Sequence, residues 1–287
     1  MGTLYVVGTP IGNLEDITLR ALRVLKEVSL IAAEDTRAAR VLLQRYDLHT
    51  PLMPYTDAYT RGKGEKIAAV LAALAQGDVA LISEAGMPGL SDPGYELIRA
   101  ALEAGHTVTP VPGPSALTAA LAISGLPTAR VLYLGFLPRR SADRRHLLRS
   151  VAREAATLVA FEAPHRLRDA LSDLAEVLGA ARPLVIAREL TKLHEEIWRG
   201  TVGEAQAHFA AAEPRGEFTL VIGGAAESHE RARQEGQAQE VLRALLAEGL
   251  SPSLAARVAA RLTGLPRRTL YAWAMNMETT YKGEQDG

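Results

Sequence analysis

The amino-acid sequence predicts an α/β protein, with two α/β domains followed by a small C-terminal helical module. Three observations carry that expectation. Short apolar runs alternate with stretches of helical period from the first residues onward; a second set of runs begins after Pro112-Gly113-Pro114; and beyond Gly223-Gly224 only helical stripes remain. At 287 residues the chain also exceeds what one ordinary hydrophobic core serves.

In residues 1–113, Leu4 to Val7, Leu30 to Ala33, Val79 to Ile82 and Val108 to Val111 read as buried strands. Between them Leu19, Leu22, Val24 and Leu25, then Val41 to Leu43, then Ile67, Val70, Leu71 and Leu74 recur at three and four residues, as on crossover helices. Such alternation predicts a mainly parallel sheet covered on both faces, with ligands at the carboxyl ends of its strands. In residues 114–225 the runs are Val131 to Leu134, Thr157 to Phe161, Leu184 to Ala187, Glu196 to Trp198 and Phe218 to Ile222. The third and fourth of these, separated by Thr191-Lys192-Leu193-His194, suit an antiparallel hairpin, so the two domains are expected to differ in topology. The stretch from Gly224 to Gln239 turns to Ala, Glu, Ser, Arg and Gln and reads as a linker or frayed helix start. In residues 236–278, Ala238, Val241, Leu242, Leu245 and Leu246 form one stripe. Ser251 and Pro252 open a second helix that Gly264 ends, and Leu270, Trp273, Ala274 and Met277 form another stripe, a helix-turn-helix pattern.

Composition excludes several chemistries. There is no cysteine, so thiolate zinc sites, iron-sulfur clusters, disulfides and thiol nucleophiles are ruled out. The 7 histidines stand apart, with no pair at the spacing that puts two imidazoles on one helix face, and no metal is expected. A net charge of -1 argues against a wholly basic nucleic-acid binder but leaves room for a local basic surface. Met1 to Val7 is too short and uncharged for a signal peptide, and no apolar run approaches the ~20 residues that span a bilayer, so a cytoplasmic location is expected.

Three loops carry the candidate chemistry: Gly8-Thr9-Pro10-Ile11-Gly12-Asn13 after the first strand, Ser83 to Gly94 after Ile82, and Pro112-Gly113-Pro114-Ser115-Ala116 after Val111. Glycines let a ligand approach the backbone and prolines stiffen the chain between them. The middle loop is longer than the ~2–6 residues of an ordinary βα connection. Neither a G-x-x-x-x-G-K-[ST] cradle nor a G-x-G-x-x-G turn is present, and Gly62-Lys63-Gly64-Glu65-Lys66 reads as the start of a solvated helix. A cofactor that does not depend on a pyrophosphate site is implied.

With Thr9-Pro10-Ile11-Gly12-Asn13-Leu14, Ala33-Glu34-Asp35-Thr36-Arg37, Glu162-Ala163-Pro164-His165-Arg166 and Arg188-Glu189-Leu190-Thr191-Lys192 in this order, the chain resembles the tetrapyrrole methylase superfamily, and within it the branch that modifies ribosomal RNA. The resemblance covers nearly the whole chain. It implies the class III S-adenosylmethionine methyltransferase fold, S-adenosylmethionine as cofactor, and 2′-O-methylation of a cytidine in the decoding region of small-subunit ribosomal RNA. It also implies a homodimer, for which Trp198 or Phe136 are candidate interface residues. Cofactor contacts implied are Pro10, the loop Glu84, Ala85, Gly86, Met87 and Pro88, then Ser115 and Ala116, with Phe161 and Ala187 closing from the second domain. The sequence departs from the family pattern at Glu84, where Asp is usual, and at Tyr55-Thr56-Asp57-Ala58-Tyr59, where the family is rich in His. The first departure shifts a carboxylate by one methylene; the second leaves that stretch without an assigned role.

A ribose hydroxyl is a poor nucleophile at neutral pH, so some group should accept its proton during transfer. Glu34, Asp35, Glu162 and His165 are the candidates; alternatively Glu34-Asp35 caps the helix carrying Arg37 and Arg40, and Glu162 and His165 orient the Pro164 turn. For RNA, the basic stretch contributes Arg139, Arg140, Arg144 and Arg145, and the family runs contribute Arg37, Arg166, Arg188 and Lys192. Arg257, Arg261, Arg267 and Arg268 add charge in the terminal module. Two other readings stay open: a methylase of a corrin or porphyrin precursor, which needs neither the basic stretch nor the terminal helices, and a helix-turn-helix transcription regulator with a ligand-sensing body.

Overall fold

A computed structural model describes residues 2–56, 63–211 and 213–283; Asp57, Ala58, Tyr59 and Gly62 of the stretches singled out above lie outside them. The chain forms two compact units, Met1–Ser150 with Ala156–Gly223, and Val151–Ala155 with Gly224–Gly287.

The larger unit begins with β1 (Thr3–Val7), α1 (Leu19–Glu27), β2 (Leu30–Ala33), α2 (Thr36–Arg45), β3 (Leu52–Pro54), α3 (Lys63–Leu74), β4 (Val79–Ile82), α4 (Tyr95–Glu103) and β5 (Thr107–Val111). The five strands are all parallel, in the order β3-β2-β4-β1-β5. Strand alternation divides the buried side chains between the two faces. Along β4, Ala80 and Ile82 join Ala21, Leu25 and Leu42 under α1 and α2, whereas Val79 and Leu81 join Val70, Leu74 and Leu97 under α3 and α4. Each fully buried Leu or Val contributes roughly 1.5–3 kcal/mol, so the alternation pins the register. The three-residue β3 was not anticipated. The outer strands each carry a proline, Pro54 in β3 and Pro110 in β5, where a missing N–H breaks no ladder bond.

The same unit continues with α5 (Ala116–Ser124), β6 (Val131–Phe136), α6 (Ser141–Ser150), β7 (Thr157–Glu162), α7 (Leu167–Leu178), β8 (Pro183–Arg188), β9 (Glu196–Thr201), α8 (Val202–Ala210) and β10 (Phe218–Ile222). The second sheet runs β6-β7-β10-β8-β9 and is mixed: β6 and β7 are parallel and the other neighbours antiparallel. The expected hairpin is β8 and β9, with Ile186 opposite Trp198. A capping box, in which Thr201 and Glu204 exchange hydrogen bonds, starts α8 directly at the end of β9.

Arg144 corrects the expectation that the whole basic stretch faces RNA. It is 2% exposed: its Nε donates to Asp173 Oδ2 at 2.7 Å and its Nη1 to the Pro138 carbonyl at 3.2 Å. Ser141 donates to the same carboxylate, tying α6 to α7. A buried guanidinium paired in this way binds no phosphate.

The smaller unit contains α9 (Ala226–Ala247), α10 (Pro252–Thr263) and α11 (Arg267–Gly283). Its own core joins Ala238 and Leu242 of α9, Ala255, Ala256 and Ala259 of α10, and Leu270 and Ala274 of α11. Alanines on α10 let the helices approach closely, and Gly264, with φ 73°, makes the left-handed turn that ends α10. Helix α9 runs through most of the segment read as a linker or frayed helix start, which decides for the helix. Arg257, Arg261, Arg267 and Arg268 are all exposed.

Candidate active site

The three predicted loops leave the carboxyl ends of β1, β4 and β5 and are bonded to one another. Thr9 and Gly86 exchange backbone hydrogen bonds (2.9 and 3.1 Å), and the Gly8 N–H donates to the Val111 carbonyl at 3.0 Å. The loop after β2 joins them, because Glu34 Oε2 accepts from the Glu84 N–H at 3.1 Å. Gly8 and Gly113 cross so closely that a Cβ on Gly113 would lie 2.7 Å from the Gly8 carbonyl oxygen. Gly86, at φ 78°, takes a conformation that side chains resist.

Facing these loops is the second sheet, and between them lies a cleft of about 630 Å³. Its lining includes Pro10, Glu84, Ala85, Gly86 and Met87, with Ser115 and Ala116 at the start of α5, and Phe161 and Ala187 from the second sheet. Glu34, Glu162 and Lys192 also face it. Pro88 does not line it, and instead is buried in the loop. Gly12 of the β1 loop packs on Leu190, Thr191 and Lys192, and the Asn13 N–H donates to Thr191 Oγ1 at 3.0 Å.

Two proton-acceptor candidates fall outside the cleft. Asp35 caps α2: Oδ1 accepts from the Arg37 N–H at 2.7 Å and Oδ2 pairs with the Arg37 guanidinium at 2.7 Å. Its side-chain bond with Arg37 lowers its pKa to about 2, leaving a feeble base. His165 is exposed beyond the lining. Glu162 is different. One oxygen accepts from the Ala163 N–H at 2.8 Å and pairs with Arg166 at 2.8 Å, while Oε2 is buried without a hydrogen-bond partner among the described residues. Burial pushes this carboxyl above its ordinary pKa, and Arg166 acts in the opposite sense.

Of the cations expected to meet RNA, Arg139 and Arg140 are exposed and pair with no carboxylate among the described residues. Arg37 is exposed but bonded to Asp35. Arg145 pairs with Glu176, Arg166 with Glu162, and Arg188 with Glu196, while Lys192 is held between Glu189 and Glu217.

Asp92 was missed as an individual residue, since the Ser83–Gly94 loop was read for its backbone. It lines the cleft, and burial, then Glu34, with Glu84 and Glu217 further on, raises its pKa to about 7. The folded state therefore holds this proton where the unfolded chain, with an ordinary Asp, has released it. Stability linked to Asp92 is present below about pH 4 and is lost as pH rises to about 7. Asn at this position cannot ionise. After discounting for solvent access, the Asp92→Asn chain is expected to gain about 1–2 kcal/mol at pH 8. That corresponds to a melting temperature about 2–8 °C higher, and the two chains should melt together near pH 4.

Among the described residues the lining carries Glu34, Glu84, Asp92, Glu162 and Glu217 against a single cation, Lys192, which is already paired. Such a cleft favours a cationic ligand and repels phosphate. Close-lying backbone, apolar walls and a few polar groups suit a small cofactor.

Comparison with known proteins agrees with this geometry. The profile of the family described as Tetrapyrrole (Corrin/Porphyrin) Methylases matches residues 3–206, and that described as RsmI C-terminal HTH domain matches residues 232–278. A Synechocystis protein named ribosomal RNA small subunit methyltransferase I is 48% identical over 278 residues, 97% of this chain and 99% of that protein. A Thermotoga maritima protein of the same name is 49% identical over 225 residues, 78% of this chain and 99% of its own length. Among solved structures, the cobalamin biosynthetic enzyme cobalt precorrin-4 methyltransferase superposes with a TM-score of 0.60 at 17% identity, over 77% of this chain and 94% of that one.

Proposed function

The chain belongs to the tetrapyrrole methylase family and, within it, to the ribosomal RNA small subunit methyltransferase I group, and from that premise we propose that it transfers a methyl group from S-adenosylmethionine to a cytidine 2′-hydroxyl in the decoding region of small-subunit ribosomal RNA. The observation that carries the reading is the 48% identity, over nearly the full length of both chains, to the Synechocystis relative of that name. The cleft fits the cofactor on its own terms: its acidic lining suits a sulfonium cation, and the glycine crossing and Gly86 let a ligand lie against main chain. When bound, S-adenosylmethionine supplies a methyl group activated for displacement by its positive sulfur.

In this reading Pro10, the loop from Glu84 to Met87, Ser115 and Ala116 hold the cofactor, and Phe161 and Ala187 close over it. All of them line the cleft. Pro88 keeps that loop stiff. Positioning does much of the work in such a displacement. Glu162 accepts the hydroxyl proton: Arg166 fixes one of its oxygens and the other has no hydrogen-bond partner among the described residues. Arg139 and Arg140, exposed and without a carboxylate partner among the described residues, hold phosphates outside the cleft, and the smaller unit adds Arg257, Arg261, Arg267 and Arg268. The proposal places the enzyme in the cytoplasm, with the ribosomal subunits, and includes a homodimer, for which the resemblance is the support.

The test is transfer of labelled methyl from S-adenosylmethionine to unmethylated small subunits, free ribosomal RNA, duplex DNA and a tetrapyrrole precursor. Label is expected at one ribose of the small-subunit RNA, mapped as a 2′-O-methyl group. Label in the tetrapyrrole alone would transfer the chain to its relatives' small-molecule chemistry, and tight DNA binding without turnover would favour a regulator.

A further inference from the structure

Successive side chains of a regular strand alternate between faces, so Tyr133 and Phe136 of β6 would point to opposite sides of the second sheet. They share one side. Against β7 the register advances three residues in β6, from Tyr133 to Phe136, while β7 advances two, from Val159 to Phe161. The extra residue is a bulge, and Gly135, with φ 67°, lies within it. The bulge turns both rings onto Phe161. Tyr133 meets it edge-on, with centroids 5.5 Å apart and planes at 71°, and Phe136 meets it at 5.5 Å and 60°. The Ser91 and Tyr133 hydroxyls are hydrogen-bonded at 2.6 Å, which anchors the group to the Ser83–Gly94 loop.

All three rings line the cleft, yet Phe136 is 52% exposed while Tyr133 and Phe161 are half-buried behind it. A large ring aimed into a cleft by a bulge and left half open is a surface for a planar ligand. Charge selects which part of an RNA enters. The acidic lining turns phosphates away, and the exposed Arg139 and Arg140 follow Phe136 by only a few residues. A ribose brought into the cleft leaves its neighbours in the RNA stack, and an aromatic side chain restores the lost stacking. We propose that Phe136, backed by Phe161 and Tyr133, is the platform on which the unstacked base of the acceptor nucleotide sits. The proposal rests on the RNA methyltransferase reading above.

The test compares the full chain with Phe136→Ala and Phe136→Trp in single-turnover transfer to unmethylated small subunits. Cofactor affinity, melting temperature and mass in solution are measured alongside. Phe136→Ala is expected to slow transfer about ten- to hundredfold with those three quantities unchanged, and Phe136→Trp to stay within about threefold of the parent. With 5-iodocytidine at the acceptor position of the RNA, ultraviolet light should crosslink the base to Phe136 or Tyr133. Transfer by Phe136→Ala at the parent rate overturns the platform alone. Weakened cofactor binding would make the ring an adenine seat, and a changed mass would make it a subunit contact; either overturns it as well. Absence of transfer by the parent chain to any RNA overturns the underlying reading and the platform with it.

Discussion

Glu162→Gln is expected to lower the rate of methyl transfer by about 10²- to 10⁴-fold while cofactor binding stays within about twofold of the parent. Glutamine keeps the shape of the side chain and an oxygen for the Ala163 N–H, but it accepts no proton from a hydroxyl. Because burial holds the Glu162 carboxyl above its ordinary range, the parent rate should climb as pH rises through its ionisation and then level off. The glutamine variant should lack that limb. Single-turnover rates across a pH series read both effects. Melting curves at each pH are the control, since Arg166 loses its charge partner and some stability with it. A variant rate within a fewfold of the parent would pass the proton to another cleft carboxylate, with Glu34 the next candidate.

The second large effect is expected where two loops cross. A Cβ on Gly113 would lie 2.7 Å from the Gly8 oxygen and 2.8 Å from the Gly8 carbonyl carbon and Cα. These are main-chain atoms, so no side chain can swing away, and Gly113→Ala must force the β1 and β5 loops apart. Overpacking of this kind costs about 1–3 kcal/mol. The bond from Gly8 N–H to Val111 strains with it, and Pro10 and Ser115 shift from their places in the cleft lining. Titration calorimetry with S-adenosylmethionine should show at least about tenfold weaker binding, a loss of roughly 1.4 kcal/mol or more. Gly64→Ala is the control: no atom of the described residues lies within 4 Å of a Cβ added there, and it sits in α3, where alanine is the better helix former. Equal cofactor affinity in Gly113→Ala and the parent would show that the crossing does not shape the site.

How far the sequence reveals this molecule depends on how local each signal is. Apolar runs such as Val79 to Ile82 stand out because both sheet faces bury them, and the β8–β9 hairpin stands out because two short runs flank a turn segment. The close of α10 is legible at Gly264 for the same local reason. β3 is not, since three residues cannot display a period. Much of the candidate site was readable as loop chemistry, because glycine and proline report backbone shape directly. Side-chain roles were less so. Asp35 looked like a base or a cap, and only the Arg37 N–H bonded to it decides for the cap. Arg144 looked like its basic neighbours, although Leu148, four residues on and fully buried, marks the face it shares. Asp92 draws its altered acidity from burial first and then from Glu34, Glu84 and Glu217, of which Glu34 and Glu217 come from distant positions in the chain. The bulge had a signal, a lone glycine inside the run Val131 to Phe136, but its direction depends on the register with β7.

The prolines on the outer strands reach beyond packing. An open sheet offers its border strands to any other extended chain, and that is a route to fibrous association. In the parallel sheet Pro110 presents no donor along β5, and its carbonyl already accepts from Arg20 of α1 at 3.1 Å. At the other border β3 stops after three residues at Pro54. A stray strand seeking to lengthen this sheet finds a missing hydrogen at one side, an occupied acceptor beside it, and too short a template at the other. The fold thus leaves its sheet open in geometry while closing it to recruitment at both of these borders.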